Sequence, residues 1–120
     1  MGKNGLGSAG ISMLMLNTSA QLLQEHTRKL EVIRHEVILR IAQDFLNEID
    51  EKLKNILESS NDPNKIVYKI YCEFPLKEGL SDKDVFDIYK EMDKCLKDNG
   101  FKLVSDTTPN SNVLKIVVLW

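Results

Sequence analysis

The chain has 120 residues, 42% of them hydrophobic and 28% charged, with 16 basic and 18 acidic side chains leaving a net charge of -2. That composition belongs to a folded globular chain, and the length to one domain, or to one small domain with an appendage. Charges of both signs mixed along the chain exclude a solvated charged tail and a dedicated basic nucleic-acid domain, and no run reaches the ~20 apolar residues that cross a bilayer.

The first segment contains Gly5-Leu6-Gly7-Ser8-Ala9-Gly10, which spells G-x-G-x-x-G. A dinucleotide fingerprint needs a strand leading into the glycine turn and a helix opening after it. Only four residues precede Gly5, and the region about 20 positions on reads as helix, so that reading fails on context. A myristoylation signal wants Ser or Thr at position 6, where this chain has Leu6. What remains is a glycine-rich arm followed by Ile11-Ser12-Met13-Leu14-Met15-Leu16. The hexapeptide is short for a secretory signal and is ended by Asn17-Thr18-Ser19.

Two readings of that apolar stretch stay open. It inserts into a groove on a neighbouring molecule, for which flexible methionine is well suited, or it continues the first helix into the domain's own core. On the first reading the interface residues are Ile11, Met13, Leu14, Met15 and Leu16, together with Leu22 and Leu23.

No Gly or Pro interrupts residues 17–62, and Leu22, Leu30, Ile33, Val37, Ile41, Phe45, Ile49, Leu53 and Ile56 recur at helical spacing. Thr18 with Gln21 offers a capping box, and Asn17 or Ser19 could cap instead. Ser59-Ser60-Asn61-Asp62-Pro63 marks the end. A helix of ~40 residues would be ~60 Å long, so it either breaks, near Thr27, or packs on copies of itself. Val32, Ile38, Leu39, Ala42, Leu46 and Leu57 widen the stripe beyond a coiled-coil seam, as suits a helix lying on a sheet.

The second half supplies the sheet. Residues 65–74 alternate, with Ile66, Tyr68, Ile70, Cys72 and Phe74 on one face, and Pro75 ends the strand. Ser81 with Asp84 opens a second helix whose buried stripe is Val85, Ile88, Tyr89, Met92 and Leu96. Asn99-Gly100 stops it. Residues 101–105 form a short strand, and 106–112 a turn-rich loop. The last strand, 113–120, is apolar on both faces except at Lys115 and therefore belongs in the middle of the sheet. The fold class is α+β: a long N-terminal helix plus β-α-β-β, with a three-stranded sheet in the order β1-β3-β2 and helices packed on it. The chain divides into an arm, 1–16, a helix, 17–62, and a body, 63–120, the last two forming a single domain.

No catalytic, cofactor-binding or metal-binding residue emerges. His35-Glu36 begins like H-E-x-x-H, but Leu39 stands at the second ligand position. His26 and His35 point to different sides of a helix. Cys72 and Cys95 are too few and too far apart for a zinc site or a disulfide framework, and read as buried thiols. Lys83, Lys90, Lys94 and Lys97 are interleaved with Asp87, Glu91 and Asp98. The only arginines are Arg28, Arg34 and Arg40, and Tyr68 and Tyr71 fall on opposite strand faces. Neither an enzyme nor a nucleic-acid partner is expected.

The segment Cys95-Leu96-Lys97-Asp98-Asn99-Gly100-Phe101-Lys102-Leu103-Val104, after a long helix and a strand, and the terminal Val117-Val118-Leu119-Trp120, resemble a group of small phage-encoded α+β proteins. The pattern covers roughly residues 20–120, and many small α+β domains share it. The resemblance implies a viral origin and a virion component of head, neck or tail, made in the host cytoplasm, and assigns no functional residues. The expected function is that of a non-catalytic structural protein, without cofactor or membrane. It would bind itself or other virion proteins through its arm and long helix. The alternative is a small regulator or inhibitor that binds a host protein or nucleic acid.

Overall fold

The computed structural model describes residues 14–59, 61–107 and 112–120. The elements are α1 (Ala20–Ser59), β1 (Lys69–Pro75), α2 (Asp82–Asp98), β2 (Lys102–Ser105) and β3 (Val113–Leu119), with the strands in the order β1-β3-β2. This is the expected α+β plan. The chain falls into two units, 1–32 and 33–120, and α1 carries residues of both.

In the first unit, residues 14–19 are not helical and α1 begins at Ala20. Ser19 opens it: its hydroxyl accepts the Leu22 N–H at 3.2 Å and its carbonyl accepts the Leu23 N–H at 3.2 Å. One of the helix's otherwise unpaired N–H groups is thereby satisfied. All described residues of this unit are exposed. α1 is helical through Thr27, without the break considered there.

The second unit holds the core. Both strand pairings are antiparallel, with Cys72 opposite Ile116 and Leu103 opposite Val118. Opposed residues share a face, so Cys72, Phe74, Leu103, Leu114, Ile116 and Val118 line one side of the sheet. All six are buried in a cluster with Ile38, Ala42 and Ile49 of α1 and Ile88, Met92 and Leu96 of α2. Both helices therefore cover the same face, and Phe45 stacks on Phe74 with ring centroids 4.4 Å apart. The other face, with Tyr71, Glu73, Lys102, Val104 and Lys115 exposed, is covered by neither α1 nor α2. β3 is central as its apolar sequence requires, but α1 and α2 cover only one of its faces, and Val117 and Leu119 are half-buried.

Two expectations need correcting. β1 starts at Lys69 rather than Lys65, and Ile66 and Tyr68, expected on the buried face, are 62% and 65% exposed. The Asp62 carbonyl accepts the Lys65 N–H and its carboxylate accepts the Asn64 N–H, so the chain is turning over Pro63 where alternation alone suggests strand. The core face of α1 is centred on Ile38, Ala42 and Ile49, with Ile41, Phe45, Leu46, Leu53 and Ile56 half-buried beside it. Leu30, Ile33 and Val37, also expected in the stripe, are exposed.

α2 has both of its expected ends. The Ser81 hydroxyl accepts the Asp84 N–H at 3.1 Å while the Asp84 carboxylate accepts the Ser81 N–H at 2.9 Å, a reciprocal capping box. At the other end the Phe101 N–H donates to the Leu96 carbonyl and the Gly100 N–H to the Lys97 carbonyl. Gly100 sits at φ +86, the left-handed conformation this stop requires.

Candidate interaction surface

Of the seven expected interface residues, Ile11 and Met13 lie outside the described residues. Leu14, Met15 and Leu16 are 100%, 75% and 90% exposed, and Leu22 and Leu23 are each 56% exposed. Leu14–Leu16 do not continue the helix and are buried in nothing, which removes the reading that places them in the domain's own core. In the same unit Leu30 and Val32 are exposed as well. In the second unit Ile33, Val37 and Leu39 stand on the exposed surface of α1, and Phe86 on that of α2.

The second unit also carries an apolar groove. An open hollow of about 450 Å³ is lined by Leu46, Ile49, Leu53, Leu57, Leu96 and Phe101. Leu57, at its edge, is 83% exposed, and beside it Trp120 meets Phe101 edge-on with centroids 6.4 Å apart. A groove of this kind, concave and mostly apolar, has the character of a docking site for apolar side chains. Nothing in the α1 periodicity announced it, because the residues that wall it come from two separate stretches of the chain, 43–57 and 95–101.

The chemistry-bearing residues are dispersed. His26 and His35 are exposed on α1. Cys72 is buried, and burial pushes its thiol pKa upward, away from the thiolate that a nucleophile requires. Cys95, expected to be buried, is exposed beside the groove. It lies on the flank of α2, one residue before the buried Leu96. Among the described residues no three His, Cys, Asp or Glu side chains gather to hold a metal ion, and no helix is long and apolar enough to cross a membrane.

Lysines of α2 are engaged locally. Lys83 pairs with Asp87, Lys97 with Asp93, and the Lys90 ammonium lies 5.4 Å from the Phe86 ring centroid. The strongest ionic feature joins the helices: Arg34 Nε donates to Asp84 Oδ1 at 2.6 Å and a terminal nitrogen of Arg34 reaches Asp87 at 3.3 Å. The cap N–H of Ser81, and then Arg34, hold the Asp84 carboxyl below the ordinary aspartate range. These contacts fasten α1 to α2.

No protein-family model matches the chain, and comparison with curated proteins and with solved structures found no match.

Proposed function

We propose that this is a non-catalytic interaction protein that docks on other protein surfaces through Leu14–Leu16 and the exposed apolar side chains of α1. One observation carries the reading: three consecutive large apolar residues, 100%, 75% and 90% exposed, precede the helix. Contiguous exposed apolar surface marks a site for a partner. Burying three such side chains contributes several kcal/mol at ~25 cal/mol per Å², reduced by the entropy of fixing the segment.

The partners we propose are further copies of this chain or other components of a phage virion, assembled in the host cytoplasm. The virion rests on the sequence resemblance described above. Particles purified from infected cells should contain the protein at fixed copy number. Its absence from particles, with expression early in infection, would support the regulator instead.

The direct test compares the full chain with a variant in which Leu14, Met15 and Leu16 are all Ser. The substituted side chains touch no core, so circular dichroism and melting should not change. Light scattering should show a defined assembly for the natural chain and its loss in the variant. Identical masses for the two proteins, alone and with their particle, would sink the reading.

A further inference from the structure

Among the described residues, strand β1 lies at the edge of the sheet, paired with β3 on one side only. The register fixes which of its backbone groups are already used. The Trp120 N–H donates to the Tyr68 carbonyl, and the Leu76 N–H donates to the Asn112 carbonyl. Both contacts extend the β1–β3 register, which sets Ile70 opposite Val118 and Phe74 opposite Leu114. Hydrogen-bonded and non-hydrogen-bonded pairs alternate along an antiparallel ladder, so the even-numbered residues of β1 bond to β3. The N–H and C=O groups of Lys69, Tyr71 and Glu73 therefore face outward along the open edge.

A second contact agrees. The Tyr71 carbonyl accepts a hydrogen bond from Lys52 Nζ at 3.3 Å, a side-chain donor standing where the N–H of an adjacent strand would stand. Pro75, the next odd-numbered residue, has no N–H, so the edge stops offering donors there. The side chains of Lys69, Tyr71 and Glu73 lie on the sheet face that neither helix covers, and Tyr71 is 65% exposed.

An open edge accepts another strand, and the order Lys69-x-Tyr71-x-Glu73 specifies which. If a second copy of β1 runs antiparallel with Tyr71 opposite Tyr71, each Lys69 faces the Glu73 of the other copy. Both opposite-charge pairs and the aromatic pair then fall on one face. A slip by one residue sends the side chains to opposite faces, and a slip by two loses both charge pairs. Parallel pairing in register sets Lys69 against Lys69.

We propose that the protein forms a two-fold dimer in which the β1 edges of two copies pair antiparallel about Tyr71, merging two three-stranded sheets into one continuous sheet. A two-fold contact uses the same patch on both subunits, and this patch is self-complementary in charge. Three opposed pairs of residues exchange backbone hydrogen bonds, and Lys52 swings off the Tyr71 carbonyl into water. The dimer does not depend on the Leu14–Leu16 segment.

The test uses the full chain with Cys95 replaced by Ser, so that only buried Cys72 remains. Opposed residues of a hydrogen-bonded antiparallel pair have Cα atoms about 5.5 Å apart, within disulfide reach. Tyr71→Cys should therefore cross-link into a covalent dimer under mild oxidation. Lys69→Cys should not, because the two copies of residue 69 would stand about 14 Å apart, four residues along the strand. In sedimentation, Glu73→Lys should weaken the dimer about tenfold by creating two Lys–Lys contacts between the copies, besides removing the 3.9 Å Glu73–Lys115 pair within each. Adding Lys69→Glu should restore the contacts between copies and with them the dimer. Equal cross-linking of the two cysteine variants, or no recovery on the charge swap, overturns the proposal. A triple-Ser variant that keeps the Tyr71→Cys cross-link but loses the larger assembly supports both contacts. Absence of the cross-link with a triple-Ser variant that loses its assembly implicates the N-terminal segment alone and overturns the β1 dimer, so the two readings fail separately.

Discussion

Asp84→Ala removes one side chain that holds two elements. Its carboxylate completes the capping box of α2 and binds Arg34 of α1. Losing the reciprocal cap costs about 1 kcal/mol. The Arg34 contact adds about 0.5–1 kcal/mol, a surface-pair value, because the Arg34 side chain is 40% exposed and keeps Asp87 at 3.3 Å. The sum is about 2 kcal/mol, or a fall in Tm of roughly 6–12 °C for a chain this size. The assay is thermal unfolding at pH 7, followed by circular dichroism, for Asp84→Ala, Arg34→Ala and the double variant. The cycle should return a coupling of about 0.5–1 kcal/mol. The pH dependence carries a definite sign. Asp84 titrates lower in the folded state than in the unfolded state, so its contribution is complete above the unfolded value of about 3.9 and is lost as pH falls through the folded one. The gap between natural chain and variant should therefore narrow below about pH 4. Strictly additive losses for Arg34 and Asp84 would refute the tie between the helices, and a gap that widens in acid would refute the electrostatic account.

Phe74→Ala should destabilise by about 4 kcal/mol in urea unfolding, because the ring is 1% exposed and stacks on Phe45; a loss below 1 kcal/mol would mean that the core can collapse around it. Gly100→Ala should cost about 1 kcal/mol or slightly more through the backbone alone. A Cβ there meets no atom within 4 Å and only the φ of +86 opposes it, so a stabilised variant would contradict that conformation. A thiol reagent should modify Cys95 at once and Cys72 only on unfolding, the first exposed and the second buried; mass spectrometry of partly labelled protein counts the two.

The two helices, the strand order and the ends of α2 were legible in the sequence because each rests on local chemistry. Ser81 with Asp84 can satisfy a helix start within four residues, Gly100 can adopt the left-handed stop, and a strand as apolar as Val113–Leu119 must be flanked on both sides. Whether Leu14–Leu16 continue the first helix was left open by the sequence, because local composition could not decide it. α1 begins at Ala20, after the Ser19 cap, which leaves those residues outside the helix.

Other features depended on tertiary structure. Alternation through Ile66 and Tyr68 suggested strand, but the Asp62 turn claims that backbone first. Helical periodicity says that α1 has an apolar side; only contact with the sheet decides that Ile38, Ala42 and Ile49 are the buried centre while Ile33 and Val37 stay exposed. Lys69, Tyr71 and Glu73 were visible as an alternating set, yet their meaning required knowing which backbone groups β3 had taken. Sequence fixes what each residue can do locally, whereas burial and pairing are shared among segments distant in the chain, and so are decided only when those segments meet.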